Sequence, residues 1–373
     1  MPEPVYIKKA SYDYATLEPI VFELLENMLS GRITPGMNVL LKPNLLGSAP
    51  PETGITTHPL IVRATARYAL SKGAKVTVSD SPAIGAFEKV MAGTGIKAAL
   101  SDLDVEAREF RESAIVESDG PFKKLELAKE ALEADLIINL PKLKTHSQMT
   151  LTAGVKNLFG CVVGLKKPEW HFRTGVDTEM FARLLLEIYK AISPAATLVD
   201  GILAMEGQGP GRSGTLRELG VVLASKDAVS LDWAASKMLG IAPESVPTCR
   251  AAKEAGLAPD DLVVIGDFAG DAAIADDFKF PAPEGLVFGP KFTQGFSRKH
   301  FTKRPAADED LCKLCGECWR YCPQQAIRKK GPGLSFDYEK CIRCYCCLEI
   351  CPQGAISAKS SMLGQLLGKI FGK

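Results

Sequence analysis

Short apolar, mostly β-branched runs alternate with helix-period stretches through the first 270 residues of the chain. The runs fall at 39–41, 75–78, 136–138, 198–199, 221–223 and 262–265, each bounded by Gly, Pro or Asp. Runs of that length and continuity are the pattern of strands buried in a parallel sheet. Between them, apolar residues recur three and four apart at 59–71, 177–192 and 228–239, as they do along a helix with one buried face. The alternation predicts an α/β fold, a large open, mostly parallel sheet with helices on both faces.

Four of the predicted strands run straight into polar or turn-forming segments: Lys42-Pro43-Asn44, Asp80-Ser81-Pro82, Pro141-Lys142-Leu143-Lys144 and Asp200-Gly201. Singly, each reads as a turn or a helix cap. Together they predict a ligand crevice, because open α/β sheets bind ligands at the carboxyl ends of their strands.

The periodicity dissolves from about Ala269 to Arg304. The organisation is then an α/β domain at 1–270, a connector at 271–305, a small α+β ferredoxin-like module at 306–357 and a tail at 358–373. Lys291 to Arg304 holds five Lys or Arg plus His300 and no acidic residue, a solvated connector or a docking patch for an acidic electron donor. In the tail, Met362-Leu363, Leu366-Leu367 and Ile370-Phe371 make one apolar helical face with Lys369 and Lys373 among the intervening positions. Such a segment lies on a membrane surface, packs on a partner or docks back on its own chain, and all three readings stay open here.

Cysteine placement carries the strongest chemistry. Nine of the 11 cysteines fall between Cys312 and Cys351, which points to metal ligation rather than a disulfide framework. Cys312-x2-Cys315-x2-Cys318-x3-Cys322-Pro323 is repeated as Cys341-x2-Cys344-x2-Cys347-x3-Cys351-Pro352. Two-residue gaps let three thiolates converge on one cubane, and the cysteine before proline crosses to the other. Two 4Fe-4S clusters are therefore expected, one on Cys312, Cys315, Cys318 and Cys351, the other on Cys341, Cys344, Cys347 and Cys322. Zinc knuckles are the competing reading, but they use separated ligand pairs. Cys346 falls outside the repeat, and Cys161 and Cys249 read as small core residues.

The charge balance, 45 basic against 44 acidic residues, gives no reason to expect nucleic acid. The segment from Met1 to Lys9 has no secretory pattern, and no apolar run approaches the ~18 residues of a membrane span. The expected location is the cytoplasm, with membrane-peripheral contact left to the tail. Neither Gly-x-Gly-x-x-Gly after a strand nor Gly-x4-Gly-Lys-Ser/Thr occurs, so neither a nicotinamide cofactor nor ATP is signalled.

Lys42-Pro43-Asn44-Leu45-Leu46, Thr56-Thr57-His58-Pro59, Pro141-Lys142-Leu143-Lys144-Thr145-His146, Gly154-Val155-Lys156-Asn157-Leu158-Phe159-Gly160 and Asp200-Gly201 with Met205-Glu206-Gly207 follow one another in order. In this the chain resembles the domain of unknown function 362 family, many of whose members end in a dicluster ferredoxin module. The resemblance implies the fold and a redox role. The motifs also suit an anion site. Lys142, Lys144, Lys156 and His146, with Asp200 and Glu206, are the catalytic candidates. Lys42, Asn44, Thr57, His58 and Asn157 are the substrate-binding candidates. Solvated lysines and locally bonded histidines are the plainer alternative. The Thr-His segment followed by Lys156 is also similar to the His-and-Lys region of nickel-dependent lactate racemases, with a different glycine pattern. That similarity implies a covalent or ligand-anchoring role for Lys156.

The expected function is an oxidoreductase of anaerobic metabolism that passes electrons from the clusters to a small anionic substrate, served by an electron donor or acceptor protein such as a ferredoxin. A non-catalytic electron-transfer subunit with a large docking domain, or a metallocofactor assembly factor, are the other classes.

Overall fold

In the computed structural model, residues 2–164, 166–174, 177–268, 274–281 and 303–359 are described. Most of the expected connector, including its basic run up to residue 302, and the amphipathic tail beyond 359 lie outside the described residues.

Each of the six apolar runs contributes to a strand, and the strands in chain order are β1 (Val5–Lys9), β2 (Asn38–Pro43), β3 (Lys75–Asp80), β4 (Val105–Glu109), β5 (Ser113–Glu117), β6 (Lys124–Ala128), β7 (Leu136–Leu140), β8 (Lys142–His146), β9 (Thr150–Thr152), β10 (Ala196–Gly207), β11 (Gly214–Ser225) and β12 (Val264–Gly266). The main sheet runs β12-β1-β11-β10-β7-β2-β3-β4, with β8 beside β10 and β9 beside β8, while β5 and β6 form a separate hairpin. β7, buried at all five positions, lies between β10 and β2.

Alternation along the strands feeds two layers. Val39 and Leu41 of β2 and Ile138 of β7 pack with helices Tyr14–Leu29 and Pro59–Ser71. Leu40 and Ile137, one residue out of step, face helix Thr178–Ile192 in the opposite layer. Asp177 caps that helix by accepting from Met180 N, and Asp227 caps Ala228–Met238 by accepting from Val229 N and Ser230 N. The open, mostly parallel sheet with helices on both faces is thus the observed architecture.

Two local expectations are corrected. The 221–223 run, expected in a parallel strand, belongs to β11, which is antiparallel to both β10 and β1. The reason is that β10 and β11 are twelve-residue arms of one hairpin, with no crossover helix between them. Lys142 to His146, expected as a polar exit from β7, form the strand β8. After Pro141 the chain resumes a β ladder along β10, with Lys142 opposite Asp200 and Lys144 opposite Met205. β1 and the β5–β6 hairpin, which lack a strong apolar run, and helix Tyr14–Leu29, which has one, are additions to the expected elements.

The C-terminal module has two small sheets, β13 (Arg304–Ala307) with β16 (Ile356–Lys359) and β14 (Ile327–Lys330) with β15 (Gly333–Phe336). Short helices Glu317–Arg320 and Cys346–Glu349 lie between them. The module sits on the turn joining β10 to β11. Ser213 Oγ donates to the carbonyls of Gly354 and Ile356 at 3.2 and 3.1 Å. A Cβ on Gly211 would lie 2.8 Å from the Glu349 carbonyl, so the close approach requires glycine. Among the described residues no helix is long and apolar enough to cross a membrane.

Gly211→Val should therefore loosen the module without unfolding the sheet. Hydrogen exchange should rise at 346–356 by tenfold or more while amides of β7 stay protected. Unchanged exchange at 346–356 would show that this turn does not hold the module.

Candidate functional site

The carboxyl ends of β2 and β3 bring Lys42 and Asp80 together, Nζ to Oδ1, at 3.0 Å with both side chains buried. Asp80 also accepts from the amides of Leu45 and Ser81, and Lys42 donates to the Pro43 carbonyl. Gly160 covers this pair so closely that a Cβ there would overlap both Asp80 Oδ1 and Lys42 Nζ.

β8 and β10 make a second buried pair. Lys142 Nζ lies 2.8 Å from Asp200 Oδ2 and 2.7 Å from the Tyr12 hydroxyl, which itself donates to Asp200 Oδ1. His58 stacks on Tyr12 at 3.6 Å, its amide donates to Asp200, and its Nδ1 accepts from Leu60 N to cap the following helix. Burial lowers the His58 pKa to about 4. Lys142, Asp200 and His58 are thus satisfied by one another and by Tyr12.

Lys144 reaches the Asn44 side-chain oxygen at 2.7 Å and the Ile55 carbonyl at 2.6 Å. Burial, reinforced by the charge of Lys156, lowers its pKa to about 7. Thr57 donates to the Leu140 carbonyl and accepts from Asn44 N. Asn44, Asn157 and Asn139 then form a chain of amide hydrogen bonds at 3.0 and 2.8 Å. Asp232 accepts from Gly154 N and Val155 N, which fixes the first turn of helix Gly154–Asn157 and the position of Lys156.

Lys156 faces a cavity of about 110 Å³ between the sheet and the C-terminal module. Lys42, Asn44 and Asn157 line it from the sheet side; Tyr321, Cys346 and Glu349 line it from the module. Lys156 makes no hydrogen bond or ion pair to any described residue; burial lowers its pKa, and Glu349 and Cys346 act against that shift. Two further wall groups, Thr152 Oγ1 and His171 Nδ1, are buried without partners among the described residues. Lys167 completes the wall, donating to the Ser81 carbonyl at 2.6 Å, with burial lowering its pKa to about 8.

His146 stands behind this wall. Its Nδ1 accepts from the amides of Gln148 and Met149, which puts the proton of the neutral ring on Nε2, 2.7 Å from Glu349 Oε1. The two groups are close without being aligned as a hydrogen bond. Burial opposes ionisation of Glu349, but His146, Lys156 and His171 outweigh it and hold its pKa below the usual carboxylate range.

Of the residues expected from sequence, the cavity gathers Lys42, Asn44, Lys156 and Asn157, with Lys144 and His146 directly behind. Lys142, Asp200, His58 and Thr57 lie in the supporting network. Glu206 is elsewhere, accepting from Lys279 N at 3.2 Å. Sequence reasoning missed Lys167, His171, Asp232 and Glu349. The first two stand four apart on helix Lys166–Thr174, a spacing that could have flagged a shared face. Nothing in the sequence marked Glu349, whose neighbours come from another module.

In that module the cysteines surround two hollows of about 20 Å³ each. Cys312, Cys315, Cys318 and Cys351 line one; Cys322, Cys341, Cys344 and Cys347 line the other, together with Cys346. All eleven cysteines are free. Ala355 N and Ala326 N point at the sulfurs of Cys351 and Cys322, at 3.2 and 3.3 Å. Four soft thiolates around each hollow are the donor set that a 4Fe-4S cluster takes, so the residues present fit such a group. Cys161 and Cys249 are buried in the large domain.

The family model described as Domain of unknown function (DUF362) matches residues 39–237, and a model for a 4Fe-4S dicluster domain matches 304–352. Thylakoid-associated protein sll1697 of Synechocystis sp. is 40% identical over 255 residues, which is 68% of this chain and 79% of that protein. Ketoisovalerate oxidoreductase subunit VorD of Pyrococcus furiosus is 42% identical over 41 residues, 11% of this chain and 39% of the subunit. The delta subunit of NADH-dependent phenylglyoxylate dehydrogenase of Aromatoleum evansii is 38% identical over 38 residues, 10% of this chain and 41% of the subunit. Among solved structures, the lactate racemase apoprotein of Thermoanaerobacterium thermosaccharolyticum aligns at 15% identity with a TM-score of 0.41, over 63% of this chain and 57% of that one. The C-terminal module is an iron–sulfur electron-transfer domain.

Two outcomes follow from the packing and charge of the site. Gly160→Ala should destabilise the protein by about 1–3 kcal/mol through overpacking against the Lys42–Asp80 pair, read as a lower denaturant midpoint. A midpoint equal to wild type would mean that the pair gives way freely. For Lys144 the folded pKa is about 7 against an ordinary 10.5, so the unfolded chain binds more protons across that interval. Stability relative to Lys144→Met should thus rise with pH between about 7 and 10; a difference that is flat or falling over that range would show that Lys144 keeps its charge in the folded protein.

Proposed function

We propose, for a chain that belongs to the family described as Domain of unknown function (DUF362) and ends in a 4Fe-4S dicluster domain, that it is an iron–sulfur oxidoreductase acting on a small anion in the inter-module cavity. Cys312, Cys315, Cys318 and Cys351 would hold one 4Fe-4S cluster, and Cys322, Cys341, Cys344 and Cys347 the other. When bound, such clusters supply electrons one at a time.

The observation that carries this reading is an ammonium that makes no hydrogen bond or ion pair to any described residue, in a cavity walled by both modules. A cation withdrawn from water is costly unless something pairs with it, so the half-buried Lys156 favours an anionic occupant. Asn157 spends its amide on Asn139, Lys42 and Asn44 and so positions Asn44, whose amide keeps one hydrogen for that occupant, while Thr152 and His171 offer polar atoms without partners among the described residues. Lys167, with its pKa lowered to about 8, is positioned to hold and return a proton near neutral pH. His146 and Lys144 act from behind, the former by orienting Glu349 and the latter by fixing Asn44. Likeness to subunits of larger oxidoreductases supports a protein that exchanges electrons with a partner. A pure carrier subunit would need a docking face but not a cavity lined by a lysine that no described residue pairs. Likeness to a thylakoid-associated protein supports work at a membrane surface.

Anaerobically reconstituted protein should contain about eight iron and eight sulfide. Small carboxylates and oxyanions, screened by thermal shift, should include at least one that stabilises it. Lys156→Ala should weaken that ligand by about tenfold or more, as loss of a charge-assisted hydrogen bond does, with iron content unchanged. Binding equal to wild type places the anion elsewhere; loss of iron would show that Lys156 supports the module rather than a ligand.

A further inference from the structure

The cavity meets the two cysteine hollows unequally. Cys346 lines both the cavity and the hollow of Cys322, Cys341, Cys344 and Cys347, so one side chain separates them. Tyr321, next to the ligand Cys322, stands in the same wall. The hollow of Cys312, Cys315, Cys318 and Cys351 shares no lining residue with the cavity; Ile350, beside Cys351, is the nearest approach in sequence, and it is an apolar wall residue. Exposure is graded the opposite way. On the inner side Cys344 and Cys347 are buried and Cys322 and Cys341 half-buried; on the outer side Cys318 alone is buried, Cys312 and Cys351 are half-buried, Cys315 is exposed and Leu311 beside Cys312 is 49% exposed.

We propose that the Cys315 side receives electrons from outside, and that Cys346 and Tyr321 form the wall through which the Cys341 side passes them to the cavity. The direction rests on the reading of the cavity as the site of reduction; the placement of an inner and an outer cluster does not. A cluster held by Cys312, Cys315, Cys318 and Cys351 would take one electron from an external one-electron donor, oxidising it, and would return to its oxidised state on passing that electron to a cluster held by Cys322, Cys341, Cys344 and Cys347, with no bond formed or broken. Rapid tunnelling needs short steps, and an inner site one side chain from the cavity gives the shortest last step. The geometry agrees: Lys156 and Cys346 line the same cavity, so the ammonium stands on the inner side's wall. A positive charge there favours the more negative, reduced form of the nearer cluster.

The test uses anaerobically reconstituted full-length protein without substrate. Cys315→Ser and Cys341→Ser, each changing the paramagnetic resonance signal of its own cluster, assign the two signals. Lys156→Gln should then lower the midpoint potential of the Cys341-assigned signal alone, and Lys156→Arg should restore it. Cys346→Ala serves as a second probe should Lys156→Gln fold poorly, and it should perturb the same signal. A water-soluble dysprosium chelate should enhance the relaxation of the Cys315-assigned signal much more than the other. A Lys156→Gln shift in the Cys315-assigned signal, equal shifts in both, no shift, or stronger chelate effects on the Cys341-assigned signal would each overturn the proposal. Because no ligand is present, these readouts can fail while anion binding at Lys156 holds, and the reverse.

Discussion

An ammonium removed from water must find a counter-charge or a set of oxygen acceptors, and this structure buries several at one edge of one sheet. Lys42, Lys142 and Lys144 are each 1% exposed or less. Lys42 is answered by Asp80 across neighbouring parallel strands, Lys142 by Asp200 and Tyr12, and Lys144 by an asparagine and a carbonyl. Parallel pairing makes this feasible, because β2, β3, β7 and β10 all deliver their carboxyl ends to the same side. The glycine at 160 and the aspartate at 232 follow from the same constraint: one lets backbone close over an ion pair, the other pins the loop that carries the remaining lysine.

Lys156 is the exception. The opposite charge that acts on it, Glu349, belongs to the iron–sulfur module and also acts on His146 and His171. Electrostatic balance at the sheet edge therefore depends on docking of the module, held by the turn around Gly211 and Ser213. Position of the redox module and charge at the candidate anion site are linked through one carboxylate. Displacing the module would leave Lys156 without Glu349 and open the cavity to water.

The fold was legible where burial dictates composition. Strands such as β2 and β7 are apolar at nearly every position, so their runs announced them, and the cysteine repeat announced the iron–sulfur module by spacing alone. Partly exposed elements announced little: β4 alternates charged residues along a sheet edge, and β1 mixes lysine with apolar residues. The direction of β11 escaped because a run of apolar residues has no polarity; the clue was the missing helix between 207 and 214. In the site, residues within one motif were readable as a group, since chain continuity keeps them close. Glu349 and Cys346 were not, because their part depends on which face of one module meets another.

Residue type also proved a poor guide to role. His58 and His146 are both buried histidines in polar motifs, yet His58 is consumed by stacking and helix capping while His146 still presents Nε2 to a carboxylate one step from the cavity. Lys142 and Lys156 are both lysines of conspicuous motifs, yet one is held by two acceptors and the other by none among the described residues. What separates the supporting members from the candidates for chemistry is unspent bonding capacity facing the cavity. Lys156, Thr152 and His171 have it, and Lys42 and Lys142 do not. A ligand binds where it can make bonds the protein has left unmade, so the unsatisfied groups, rather than the most polar motif, mark the place where an anion would sit next to the inner cluster's wall.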